Sequence, residues 1–272
     1  MVRGRRMKRT VRNAGFVMLG VLIVMMSTSG ALALEVAGEE LGINLNFTYA
    51  SKYMWHGYDI FGGNGAFQPS INFDYMGFIA GIWASYPDTS GSEDLSEIDL
   101  YIGYGRTFFE EESYAVDATI LYTYFTFPKV SHKANLDAQE VDFIISMPNL
   151  IPLGPASLVP SYALGYLWDG VQGETPHFDG FYHIFGLSYD IPVPALIPEQ
   201  EEQAISLKWD IAYNDGPFNT DSDWSYSTIG VSTTFEWNNV YLTPSLNYQF
   251  SFNDVVNDED DFYATISFGY NF

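Results

Sequence analysis

Cysteine is absent from this 272-residue chain, so no disulfide can staple it in whatever compartment it folds. Basic residues are scarce: 11 Lys and Arg stand against 34 Asp and Glu, a net charge of −23. So acidic a chain repels nucleic acid and anionic lipid surfaces, which excludes nucleic acid as a partner. Beyond residue 33 no run of 18 apolar residues occurs, which excludes a transmembrane helix there.

The first 33 residues read differently from the rest. Arg3, Arg5, Arg6, Lys8, Arg9 and Arg12 form a positive head, an apolar run follows from Ala14 to Met26, and small residues lead to Ala31-Leu32-Ala33. That is the layout of a cleaved secretory signal peptide. The apolar run is too short for a spanning helix, which needs ~20 residues. The expected organisation is therefore a signal peptide over 1–33 and one domain over 34–272. Without the leader, five basic residues face all 34 acidic ones, and the net charge falls to −29.

What the chain has in abundance is aromatic residues, 20 Tyr, 21 Phe and 6 Trp, and their spacing decides the fold class. Successive strand residues point to opposite faces, so a strand with one apolar and one polar face alternates strictly. Residues 262–272 put Phe262, Ala264, Ile266, Phe268, Tyr270 and Phe272 on one face, against Tyr263, Thr265, Ser267, Gly269 and Asn271. Residues 240–250 and 67–76 alternate as cleanly. Weaker versions occur at 43–54, 78–86, 96–106, 114–127, 138–147, 157–168, 181–190, 204–214 and 226–237, which makes twelve strands.

The connections alternate too. Short links follow strands two, four and ten, and longer polar links follow the odd-numbered strands, at 55–66, 87–95, 128–137, 169–180, 215–225 and 251–261. Short turns at one end and long loops at the other are the transmembrane-barrel pattern. Two links at the short-turn end, 148–156 and 191–203, are long and Pro-rich and are expected to cross the rim as rigid extended segments. A soluble β-sandwich would also alternate, but it would carry solubilising charge on its polar face. Here that face is Gly, Ser, Thr, Asn and Tyr, and the segments reach the ~9–11 residues of a bilayer-spanning strand. The expected fold is all-β, a closed antiparallel transmembrane barrel of about twelve strands.

Tyr263-Ala-Thr-Ile-Ser-Phe-Gly-Tyr-Asn-Phe272 resembles the final strand of bacterial outer-membrane proteins. The resemblance implies that Phe268, Tyr270 and Phe272 present an assembly signal to the barrel-assembly machinery. A narrower resemblance is carried by Ser51-Lys-Tyr-Met-Trp-His-Gly57, Gln68-Pro-Ser-Ile-Asn-Phe-Asp-Tyr75 and Gly77-Phe-Ile-Ala-Gly-Ile-Trp-Ala-Ser85. Together they look like the opening of the TorF-type porins, with Ser51, Tyr53, His56, Gly57 and Trp83 as the motif residues. Lys52 and His56 stand where that family's S-D-Y-x-x-R-G pattern has Asp and Arg. The resemblance implies a passive diffusion channel in the outer membrane of a Gram-negative bacterium, with no cofactor and with outer-membrane lipid, the assembly machinery and small solutes or cations as partners.

The register assigns Asp74, Glu97, Asp99, Asp117, Glu140, Asp142, Asp210 and Glu236 to the lumen, opposed by Lys52 and Lys208. Glu97, Asp99, Glu140 and Asp142 fall near the external mouth. Acidic rings concentrate cations and oppose anions, so cation preference is expected. Trp83, Tyr101, Phe125, Tyr182, Tyr241 and Tyr263 also face the lumen and should narrow it, while Tyr53, Trp55, Tyr86, Tyr122, Tyr124, Trp168, Tyr189, Tyr213 and Trp237 are expected in interfacial girdles. Arg106 is placed on the outer face, where it can snorkel.

Two other readings remain at this point: a structural or ligand-binding barrel without an open pore, and an outer-membrane hydrolase. His56, His132 and His177 fall in or beside external loops and His183 on the lipid face. No G-x-S-x-G elbow or H-E-x-x-H pair accompanies them. The Asp258-Glu-Asp-Asp261 run lacks the spaced ligands of a calcium loop and reads as a solvated one.

Overall fold

The computed structural model describes residues 34–36, 38–130, 136–170, 179–198, 200 and 202–272. The expected signal peptide, His132 and His177 lie outside these residues. Twelve long strands form the wall: β1 (Glu39–Ala50), β2 (Ala66–Tyr75), β3 (Phe78–Pro87), β4 (Glu97–Phe108), β5 (Val116–Thr126) and β6 (Ala138–Ser146). The other half is β7 (Ala156–Asp169), β8 (Gly180–Val193), β9 (Gln203–Asp215), β10 (Asp223–Thr233), β11 (Val240–Ser251) and β12 (Asp261–Asn271). Each pairs antiparallel with its sequence neighbours, and β12 pairs with β1 to close the cylinder.

Tight turns close the short end. Met76 and Gly77 both take positive φ (53° and 84°), the mirror-image turn that matches strand twist in a two-residue hairpin. The 148–156 link is not an extended rim crossing: Ile151–Leu153 folds back on Ala156–Leu158 around Gly154, whose φ of 63° allows the reversal. Within 191–203, β8 instead runs on to Val193, where it pairs with Gln203. Those link residues satisfy their backbone groups by lengthening the wall.

Along the paired strands the side chains alternate between the two faces, apart from a register shift at Ala212 and Tyr213 of β9. Phe78, Ile82, Leu100, Ile102, Ile120, Phe185, Leu207, Ile229, Leu246 and Ile266 point outward and are exposed. Water would penalise such a belt at ~25 cal/mol per Å² of apolar surface, whereas hydrocarbon is its natural solvent. Arg106 is also exposed at the turn end of β4, its guanidinium 5.8 Å from the Phe108 ring. Inward, large and small side chains interlock across strands. Tyr101, Tyr182 and Tyr241 stand opposite Gly81, Gly165 and Gly269, and each ring covers its glycine so closely that a Cβ there would overlap it. Their hydroxyls reach further: Tyr241 OH accepts from Asn46 Nδ2 at 2.7 Å, Tyr101 donates to Asn72 Oδ1, and Tyr182 donates to Asp142 Oδ1 at 2.9 Å.

Candidate functional site: an inserted loop over an acidic, aromatic cavity

The alternation expected to run to residue 54 stops at Ala50. Ser51 N–H donates to Ala264 O at 2.8 Å and Ala264 N–H donates to Ser51 Oγ at 2.9 Å. Past that clasp, residues 51–65 fold into the mouth at the long-loop end instead of outward into solvent. A miniature hairpin pairs Met54–Trp55 with Tyr58–Asp59, turning at His56 and Gly57 with φ of 47° and 89°.

The inserted loop is held by apolar burial first. Phe61 is 1% exposed and packs with Ala50, Tyr53 and Ala66, against Trp83 and Leu95. Trp55 lies 5.3 Å from the Phe125 ring and 5.5 Å from Phe218. Tyr53 and Trp55 are therefore not girdle residues as expected. They point into the barrel, where Tyr53 is buried and Trp55 packs against Phe125 and Phe218.

Polar contacts then fix the loop to walls on several sides. Tyr53 OH donates to Glu97 Oε2 of β4 at 2.8 Å, and His56 Nε2 lies 3.3 Å from Glu140 Oε2 of β6. Across the mouth, Gln249 Nε2 of β11 donates to Gly57 O at 2.8 Å. At the rim Lys52 pairs with Asp261 at the start of β12, and that hydrogen bond holds its ammonium above the ordinary lysine range. Burial pushes the Asp59 carboxyl up, although the Gly63 N–H opposes this. Burial likewise raises the Tyr58 phenol to about 12.

Beneath the loop lies a cavity of about 420 Å³. Tyr53, Trp55 and His56 roof it, and Asp99, Glu140 and Asp142 reach it from the wall with Trp83, Tyr101, Phe125 and Tyr182. Glu97, Asp99, Glu140 and Asp142 lie together at the long-loop end of the barrel, and all are buried. The motif residues Tyr53, His56 and Trp83 meet at the same place, with Tyr53 and Trp83 rings 5.6 Å apart.

The remaining charged positions are scattered. Asp210 and Lys208 occupy the β9 wall, cross-strand from Thr228 and Gly230. Asp74 and Glu236 sit exposed at the short-turn end. There too, Asp117 accepts from Thr107 Oγ1 at 2.7 Å and from Ser146 Oγ at 3.3 Å. Phe268, Tyr270 and Phe272 continue the outer face of β12, with Tyr270 and Phe272 rings 4.7 Å apart in an edge contact. His183 faces outward and bonds through Nδ1 to Tyr162 OH at 2.7 Å. In the acidic run, Asp260 accepts from Ser251 N and Tyr248 OH, and Asp261 accepts from Asn257 and Lys52. Among the described residues no group of three or more His, Cys, Asp or Glu is arranged to hold a metal ion.

Sequence reasoning put Trp55 in a girdle and missed the rest of the loop's seat: Phe61, Phe218, Tyr226 and Gln249. A signal was available. Tyr53, Trp55, Tyr58 and Phe61 make 53–61 far too aromatic for a loop left in water.

Neither a known family profile nor a characterised protein matches the chain in sequence. Solved structures do match in shape. The NanC porin superimposes with a TM-score of 0.51 at 8% identity, covering 84% of this chain and 98% of that one. The KdgM porin gives 0.47 at 8% identity, with 84% and 99% covered. An outer-membrane channel from Pseudomonas putida F1 gives 0.46 at 11% identity, with 89% and 98% covered. What this chain shares with the NanC porin is its fold, a closed antiparallel β-barrel.

Proposed function

We propose that this protein is an outer-membrane diffusion channel for small solutes, with a preference for cations and its constriction at the inserted loop. The observation that carries the reading is the juxtaposition of that loop with Glu97, Asp99, Glu140 and Asp142. In this reading a solute entering from the mouth passes these carboxyl groups, and negative charge along its path favours cations. The apolar outer belt supports a lipid setting, and Phe268, Tyr270 and Phe272 are the side chains we assign to recognition by the assembly machinery. A twelve-stranded wall lies between barrels filled by side chains and wide open porins, so small ions and low-mass metabolites are the cargo.

The test is a planar bilayer holding the refolded protein, with a potassium chloride gradient. Discrete conductance steps and a reversal potential of cationic sign are expected. Silence would turn the reading toward a structural or binding barrel, and an anionic or null potential would discard the selectivity.

A further inference from the structure

We infer that the cavity beneath the inserted loop binds the cationic head of an organic solute, a primary ammonium or guanidinium group, through Asp99. The inference rests on the channel reading above and names its substrate class.

Asp99 is 8% exposed and faces the cavity, yet its Oδ1 has no hydrogen-bond partner. A buried acceptor left open is unfavourable, so a donor brought by a solute would find it waiting. Its neighbours differ from those of the other mouth carboxyls. Glu97 accepts from Tyr53, Glu140 meets His56, and Asp142 accepts from Tyr182. Asp99 meets Glu97 through a side-chain hydrogen bond that leaves Oδ1 open, and it stands in the β-ladder between two rings, Trp83 on one side and Phe125 on the other.

A carboxylate framed by aromatic faces selects among cations. Magnesium is strongly hydrated, and both it and potassium take oxygen ligands on several sides, and no multi-ligand group is arranged for one among the described residues. An alkylammonium or guanidinium is more weakly hydrated at its carbon-bearing flanks. It can donate to Asp99 Oδ1 while its faces lie on Trp83 or Phe125, adding cation–π attraction to a charge-assisted hydrogen bond. The volume fits as well: about 420 Å³ falls within the ~300–1,000 Å³ of small-molecule sites.

The test uses the refolded full barrel in detergent, with L-arginine amide as probe and potassium and magnesium chloride at matched ionic strength as comparisons. Saturable quenching of tryptophan fluorescence by arginine amide alone is expected. Asp99→Asn should weaken it at least about tenfold and Phe125→Leu about threefold. Equal response to magnesium, or unchanged affinity in a folded Asp99→Asn barrel, would overturn the site. Phe125→Leu keeps the carboxylate and guards against misfolding of the first variant. The channel reading fails separately: binding in a barrel that passes no current supports the site and removes the pore. Current without binding keeps the pore and overturns the site.

Discussion

His56 Nε2 lies 3.3 Å from Glu140 Oε2, and the His56 ring sits 4.1 Å from that of Tyr182, tilted by 46°. One residue of a loop that leaves β1 thereby reaches β6 and β8, halfway around the cylinder. With Gly57 O held by Gln249 on β11, the loop is tied across the opening like a crossbar.

Opening that crossbar should widen the passage. A Cβ on Gly57 would come within 2.5 Å of the Tyr226 ring and 2.8 Å of Val256, at a φ of 89° that side chains avoid. Gly57→Val should therefore unseat the loop, raise single-channel conductance about twofold or more, and expose Lys52 to trypsin. An unaltered conductance with an intact tryptic map would remove the loop from the pathway.

The lumen tyrosines make the wall intolerant of added bulk. Gly165→Ala would drive a methyl group into the Tyr182 ring, and overpacking of this kind costs ~1–3 kcal/mol. The urea midpoint of the refolded barrel should fall accordingly, and Tyr182→Ala in the same chain should recover part of the loss by making room.

Acid should steady the inserted loop. The Asp59 carboxyl is pushed above its usual range by burial. A group raised in the folded state contributes stability below its ordinary value, and that contribution disappears as pH climbs through the raised one. Amide exchange over 54–62, corrected for intrinsic rate, should slow as the buffer moves from neutral to acidic. Asp59→Asn keeps an oxygen for the Gly63 N–H and should abolish most of the effect. Persistence of the full effect in the variant would remove Asp59 as its source.

The outward belt can be probed by charge. Ile102 is mid-strand on β4 and 58% exposed. A lysine at the centre of a lipid-facing strand costs ~2–4 kcal/mol, so Ile102→Lys should lower the unfolding midpoint in bilayers and leave it nearly unaffected in a detergent-free, soluble form if one existed.

The strands and their inward register were legible because alternation is a local property: Asp99 and Asp142 face the lumen for the same reason that Ile102 faces out. The inserted loop was masked by periodicity, since Ser51, Tyr53 and Trp55 go on alternating after pairing has ceased, and only the aromatic content of 53–61 hinted at burial. What turns the chain inward is distant in sequence, the Ala264 clasp and the rings of Phe125 and Phe218. The grouping of four carboxyls could be inferred from strand depth, but Asp99's open oxygen depends on which hydroxyls serve its neighbours, and only three-dimensional packing settles that.

Asn44 and Asn271, joined side chain to side chain, are 227 positions apart, and the strands that carry them are the two edges of one seam. A chain emerging from its N-terminus must keep the β1 edge unsatisfied until the last dozen residues arrive. Closure is thus a single late event, and a copy lacking its tail would retain two bare, sticky margins suited to stacking on other copies.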